Sequence, residues 1–295
     1  MGLSPRLLGV LLHKPERHYR VFEIPKANGT PREICAPRTV MKLVQYFVLD
    51  YLLRAFPVHP AATAFEPGCS IKWNAVAHVG KRYVANIDVQ NFFGSLTTKV
   101  VFKQLLRAGF KLNTAAFVAR ISSYRGSLPQ GAPTSAALSN ICMYEFDELL
   151  TSDSSASRVT YTRYADDITF SGDDLEAVRI CIAKASDHLG ALGLVLNRDK
   201  TRIFGQSSRQ VVTGLVVNVK AQPTREYRRN LRSLLHHVKL NPFQHLDQYD
   251  EIQGKAAFAL SFSGPDTQVG SLSSQYVDEA LAVMRALRKS GQEKS

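Results

Sequence analysis

The residues with the clearest chemical capacity are Asp166 and Asp167, in the run Arg158-Val-Thr-Tyr-Thr-Arg-Tyr-Ala-Asp-Asp-Ile-Thr-Phe-Ser171. Val159, Tyr161 and the Ile168 to Phe170 stretch favour strand, and the acid pair interrupts them as a tight hairpin turn would. Adjacent carboxylates repel, so a rigid tip carrying two of them is costly unless a cation neutralises them. Hard oxygen donors of this kind suit Mg2+. A third carboxylate, Asp88, lies near the end of a second apolar strand, Tyr83-Val-Ala-Asn-Ile-Asp-Val89. Three acids on two strand ends would clamp two metal ions for in-line phosphoryl displacement. The pair by itself also fits a plain solvated Asp-Asp turn.

Other stretches must hold a substrate around that tip. Residues 21–35 read as a hairpin turning at Asn28-Gly29, with Lys26 and Arg32 flanking the turn where they could converge on a phosphate chain. Asn91-Phe92-Phe93 follows the Asp88 strand; an aromatic there could lie under a nucleotide sugar, or pack in the core. Leu128-Pro-Gln130-Gly131 feeds a helix that starts at Pro133-Thr134, and such a turn can cradle a nucleotide and its template. Lys200 sits where residues 193–204 read as strand, turn, strand, placed to protonate a leaving pyrophosphate or simply exposed. Gly214 interrupts a strand over 209–218, as close approach of another backbone would require. Asn74 and His78 are four apart and share a face if helical. Residues 38–56, 98–108, 114–124 and 174–192 carry helical patterning.

The chain has 295 residues, 45% hydrophobic and 21% charged, enough for one large domain or two to three subdomains. Its net charge of +12 points to an anionic partner, nucleic acid first. From 201 to 240 there are eight Lys or Arg against one acid, Glu226. Arg225, Arg228, Arg229 and Arg232 fall on one helical face, as a phosphate track would. The four cysteines form no CxxC and read as reduced thiols of a cytoplasmic protein rather than a zinc site. No stretch approaches the about 20 apolar residues of a membrane span.

Taken together, these stretches resemble a reverse transcriptase: hairpin, Asp88 strand, Leu-Pro-Gln-Gly turn, Tyr-Ala-Asp-Asp hairpin, Lys200 turn and Gly214 strand fall in the order of that superfamily's palm motifs, over about residues 20–220. Asn74-Ala-Val-Ala-His78, Gln130-Gly-Ala-Pro-Thr-Ser135 and Val212-Thr213-Gly214 are similar to the bacterial retron enzymes. Ala136 departs from the proline common there. The resemblance implies an α+β right-hand fold: fingers with an N-terminal helix over 1–80, palm over 81–220 with part of the fingers within 97–128, and a helical RNA-binding thumb over 221–295. It implies two Mg2+ held by Asp88, the Val89 main chain, Asp166 and Asp167. It implies dNTP contacts at Lys26, Arg32, Phe92, Phe93 and Gln130, and nucleic-acid contacts at Asn74, His78, Arg163, Tyr164, Thr213, Gly214 and the four arginines of 225–232. The implied partners are a cognate noncoding RNA (msr-msd), its cDNA and an effector protein encoded nearby, with no membrane. The implied product is a branched RNA-DNA hybrid (msDNA) primed from an RNA 2'-hydroxyl, in antiphage defence. Another bacterial reverse transcriptase type, intron-derived or abortive-infection, and a non-catalytic RNA-binding scaffold are the rival expectations.

Overall fold

The computed structural model describes residues 4–26, 29–262 and 274–292. Two compact units divide the chain, Met1–Thr213 and Gly214–Ser295.

The first unit opens with α1 (Pro5–His13), whose first turn is capped by the Ser4 hydroxyl accepting from Leu7 N. Strands β1 (Tyr19–Pro25) and β2 (Pro31–Pro37) form the expected hairpin, with Tyr19 opposite Pro37 and Pro25 opposite Pro31. Gly29 has φ +79 in its turn, while Asn28 lies outside the described residues. Helix α2 (Thr39–Val48) runs on through one wider turn to Leu53. Helix α3 (Ile71–Val76) precedes β3 (Tyr83–Val89), and α4 (Phe92–Ser95), α5 (Thr98–Arg107) and α6 (Leu112–Ile121) follow it. Helix α7 (Ser135–Ala156), β4 (Thr160–Tyr164), β5 (Asp167–Gly172), α8 (Leu175–Ala191), β6 (Leu196–Gly205) and β7 (Val211–Val212) complete the unit.

The central sheet is antiparallel, in the order β4-β5-β3-β6. Alternation decides which side chains it offers. Ala85, Ile87 and Val89 of β3 point into the core with Ile168 and Phe170 of β5, which leaves Asn86 and Asp88 on the opposite face. Leu138, Phe146 and Leu150 of α7, and Val178, Ala185 and Leu189 of α8, join that core. Each large side chain so buried contributes about 1.5–3 kcal/mol. The four cysteines are free thiols, and Cys35, Cys142 and Cys181 are buried.

In the second unit β8 (Leu215–Val216) pairs with β9 (Gln222–Pro223), and three helices, α9 (Arg225–Leu240), α10 (Tyr249–Leu260) and α11 (Ser274–Gln292), share a core of Leu231, Leu235, Ile252, Val277, Leu281 and Met284. Leu231, Leu235 and Val238 mark the inward stripe of α9. Arg225 and Arg229 are exposed on that helix, while Arg228 and Arg232 are half-buried. No helix among the described residues is long and apolar enough to cross a membrane.

Candidate active site

The tip of the β4–β5 hairpin carries the acid pair. Tyr164 is in register with Asp167, so Ala165 and Asp166 are the two turn residues. Ala165 takes φ +58, the positive value that two-residue hairpins use to match strand twist, at a cost of roughly 1–2 kcal/mol for a residue with a Cβ. Arg163 offsets it by donating from Nη1 to the Ala165 carbonyl at 3.1 Å. That guanidinium is fully buried. Its Nε and Nη2 donate to the Asp147 carboxylate of α7 at 2.8 and 2.6 Å, and Asn140 accepts from both terminal nitrogens at 3.3 Å. The Tyr161 hydroxyl donates to the same Asp147 carboxylate at 2.6 Å. Burial works against the Arg163 charge, but Asp147 outweighs it and raises the pKa of the guanidinium.

Strand pairing brings the third acid to this tip. Asp88 is directly opposite Asp167 across the β3–β5 pair, and Val89 N donates to the Asp166 carbonyl at 3.2 Å. Directly opposed side chains share a face with Cβ atoms about 4.5–5.5 Å apart. The crowding is visible in the proton affinities. Burial, then Asp166 and Asp88, push Asp167 up to about 6. Asp166 is also raised, by burial and by Asp88, against the opposing effect of its own backbone, Lys200 and Arg32. The side chain of Val89 is in the core, so only its main chain can serve the site.

Lys200 is not at a turn between two strands, as the sequence suggested; β6 runs continuously through it. Asn86 pairs with Arg202 but Asp88 with Asn197, so five residue steps on β6 span two on β3. The excess bulges, and a bulge re-aims side chains. Lys200 Nζ lies 3.1 and 3.0 Å from the two Asp88 oxygens, and Asn197 Nδ2 donates to Oδ2 at 3.2 Å. With Asp88 turned to that ammonium, no three His, Cys, Asp or Glu side chains among the described residues converge on one point where an ion could bind. The donor chemistry nonetheless fits a hard divalent cation: two crowded carboxylates with raised pKa, and a third whose charge a protein cation already balances.

Beside the acids is a cavity of about 390 Å3 whose walls include Lys26, Arg32 and Gln130, together with Arg125, which the sequence reading missed. The walls are tied to each other. Cys35 N donates to the Gln130 carbonyl at 2.8 Å, and Gly131, at φ +109, sits so close to β2 that a Cβ there would lie 2.8 Å from Ile34 Cγ2. Asn91 and Gly94 line the same cavity. Of the two aromatics, Phe92 is buried in the core and cannot meet a nucleotide. Phe93 is half-buried, with its ring centroid 5.3 Å from that of Phe92.

Three side chains expected at nucleic acid are inside the protein instead. Arg163 is the buried anchor just described. Asn74 is buried, accepting from the Thr63 hydroxyl at 3.0 Å and donating to the Thr213 hydroxyl at 3.4 Å. His78 is fully buried between the hydroxyls of Ser171 on β5 and Thr162 on β4, each 2.7 Å from a ring nitrogen. α3 ends at Val76, so Asn74 lies on the helix and His78 in the turn after it; His78 braces the β4–β5 hairpin, while Asn74 ties Thr63 to Thr213. Tyr164 and Thr213 are half-buried and Gly214 is exposed. Thr213 (φ +45) donates to the Ile71 carbonyl at 3.1 Å, and Gly214 has φ +82.

Burial, with Lys81 nearby, lowers the His78 pKa to about 3. Unfolding returns it to about 6.5. Between those values the unfolded chain binds the extra proton, so this residue contributes stability above pH 6.5 that falls by about 1.4 kcal/mol per pH unit below it. The difference in chemical-denaturation stability between wild type and His78→Asn from pH 7 to 5 is expected to show that slope, because the raised carboxylates Asp166 and Asp167 contribute equally to both chains.

The family described as "Reverse transcriptase (RNA-dependent DNA polymerase)" matches this chain over residues 24–219. Among curated proteins, the chain is 37% identical over 261 residues to the Retron Mx65 reverse transcriptase of Myxococcus xanthus, covering 80% of this chain and 60% of that one. It is 32% identical over 266 residues to the Retron Ec86 reverse transcriptase of Escherichia coli, covering 88% and 81%. It thus spans about 60% of the length of the Mx65 relative. Among solved structures, apo telomerase from Candida tropicalis superposes with a TM-score of 0.53 at 11% identity, over 91% of this chain and 57% of that one. At such identity the likeness is one of fold, and the α+β right-hand polymerase fold expected above is the fold of this chain.

Proposed function

The chain belongs to the reverse transcriptase family, with retron reverse transcriptases as relatives, and from that premise we propose that it is an RNA-directed DNA polymerase that copies a cognate structured noncoding RNA. Synthesis would start from a 2'-hydroxyl of that RNA and leave a branched RNA-DNA hybrid. The cytoplasm is the proposed compartment, and antiphage defence beside an effector protein the proposed setting. The observation that carries the reading is the strand register that sets Asp88 against Asp167, one residue from Asp166 at the hairpin tip.

Asp88, the Val89 carbonyl, Asp166 and Asp167 would hold two Mg2+, which when bound supply a more acidic primer hydroxyl and charge neutralisation on the leaving pyrophosphate. The chain's own groups do the rest. Lys26 and Arg32 draw the triphosphate into the cavity that they line. Gln130, on its tethered loop, positions the base pair. Lys200 Nζ, once it leaves Asp88, protonates the departing pyrophosphate oxygen. Phe93 closes off space beneath the sugar. Arg225, Arg228, Arg229 and Arg232 of α9 hold RNA phosphates, while Tyr164 and the Thr213-Gly214 backbone follow the primer strand. Residues 1–80 with part of 97–128 would act as fingers, 81–220 as palm and 221–295 as thumb.

The test is synthesis itself. Purified protein with its copurifying RNA, dNTPs and Mg2+ is expected to yield cDNA, and sequencing the product a short branched hybrid. A linear product primed elsewhere would move the chain to another reverse transcriptase type; no product would leave an RNA-binding scaffold. In the same assay Phe93→Ala is expected to lower discrimination against ribonucleotides by about 10- to 100-fold. Unchanged sugar selectivity would return Phe93 to the core.

A further inference from the structure

The cavity beside the acids holds a cation, Arg125, to which the reaction above gives no task. Arg125 stands on a two-residue turn: Tyr124 N donates to the Ser127 carbonyl at 2.9 Å, and Ser127 N to the Tyr124 carbonyl at 3.2 Å. Arg125 at φ +49 and Gly126 at φ +84 both take the left-handed values that such a turn demands. Glycine adopts them freely, whereas an arginine there strains the backbone. The turn is tied on two sides, since the Gly126 carbonyl accepts from Thr98 N at 2.8 Å and Leu128 N donates to the Leu96 carbonyl at 3.0 Å. The side chain is supported as well. Its guanidinium is 5.1 Å from the Tyr124 ring centroid. That ring is 5.0 Å from the ring of Tyr19, whose hydroxyl accepts from Gln45 Nε2 at 2.7 Å. Tyr19, Gln45 and Tyr124 are buried, so the guanidinium rests on a stack rooted in the core. Yet Arg125 itself is exposed, and among the described residues its side chain has no hydrogen-bond acceptor and no salt bridge.

We propose that Arg125 binds the outermost phosphate of the incoming nucleotide, and then the pyrophosphate split from it, as a third cation beside Lys26 and Arg32. The proposal rests on the polymerase reading given above and adds the residue that reads the far end of the substrate. Lys26, Arg32 and Arg125 line one cavity, with Glu33 as the acid among its walls, so positive charge is in surplus there. Position decides which phosphate each cation meets. The reacting phosphate must lie at the aspartates. The Arg32 charge is felt at Asp166. Arg125 acts elsewhere: burial and Glu33 push the Cys35 thiol up to about 11, and Arg125 opposes them. Its charge registers at neither Asp166 nor Asp167. Arg125 therefore stands at the end of the cavity remote from the acids, where the phosphates farthest from the reacting one must lie. Its planar fork of donors suits two oxygens of a terminal phosphate. The backbone points the same way, because a turn that had only to reverse the chain would be better served by Asn-Gly.

The test measures, on the full chain with Mg2+, the binding of inorganic pyrophosphate by calorimetry, the KM for dNTP in primer extension, and the affinity for the primer–template. Arg125→Ala and Arg125→Gly are each expected to weaken pyrophosphate binding and to raise the KM about 10- to 100-fold, as loss of a charge-assisted bidentate contact would. Arg125→Lys, which keeps the charge and loses the fork, is expected to recover part of both. The glycine variant separates substrate binding from a structural role. It relaxes the turn, so its melting temperature should match or exceed that of the wild type while its nucleotide affinity falls. Primer–template affinity should stay at the wild-type level in all three variants. Unchanged KM and pyrophosphate affinity would overturn the proposal, as would losses that follow a lowered melting temperature. A loss of primer–template affinity in place of nucleotide affinity would also overturn it, and would put the guanidinium on a nucleic-acid backbone. Failure of the polymerase reading looks different: the wild-type chain would extend no primer, whatever its affinity for pyrophosphate.

Discussion

Asp166→Ala is expected to abolish cDNA synthesis while RNA binding stays near the wild-type level. The side chain sits on the hairpin turn, half-buried, with Asp88 and Asp167 beside it. Its pKa is already raised by burial and by Asp88, so removing it relieves repulsion and should not unfold the tip. On the proposed mechanism, what is lost is a ligand for the divalent cations. Their stabilisation of transition-state charge is worth several kcal/mol, so the rate should fall on the order of a thousandfold or more. Asp167→Ala should behave alike. Single-turnover extension on a bound primer–template, with thermal melting as the control, checks both variants. Near-normal synthesis by either would show that these carboxylates are not the metal-binding set.

The second large effect lies beneath the first. Arg163→Met, or Asp147→Ala, is expected to destabilise the first unit by about 3–5 kcal/mol, because each leaves the other charge buried without its partner. For a unit of this size that is roughly 6–20 °C in Tm. The double replacement Arg163→Met with Asp147→Leu should recover part of the loss, since no charge is then stranded. It should not recover the rate, because the Ala165 carbonyl still lacks the donor that holds the turn. Melting and single-turnover rate measured on the three variants separate the two roles. Recovery of both together would mean that the pair serves stability alone.

That pair also marks where the sequence stops being legible. The acid-bearing hairpin, the Asp88 strand, the β1–β2 hairpin and the α7 start could be read from turn chemistry and alternation, which are local properties. Arg163 was assigned to nucleic acid through the family resemblance alone, and the structure buries it instead. Its real partner, Asp147, is sixteen residues upstream on another element. A signal did exist: Asn140 and Asp147 stand two helical turns apart among Leu138, Ile141, Phe146 and Leu150, polar residues on an apolar helix that must find a buried partner. Asn74 and His78 were missed for the same reason: their hydroxyl partners, Thr63 and Thr213 for the first and Thr162 and Ser171 for the second, are distant in sequence and leave no trace in spacing. Lys200 was placed in the right neighbourhood on the wrong element. A bulge set by pairing with β3 cannot be seen from β6 alone. Arg125 was passed over although Gly126 after it announced a bend.

The contact between Gly131 and β2 has a mechanical consequence. With Ile34 filling the space a Cβ would need, and Cys35 bonded to the Gln130 carbonyl, the N-terminal hairpin is latched to the loop opposite it. Any swing of that hairpin must drag Gln130 along, so in the proposed reaction gripping the phosphates and seating the base would become a single stroke. Gly131→Ala would wedge the latch apart and leave the two halves of that stroke out of step.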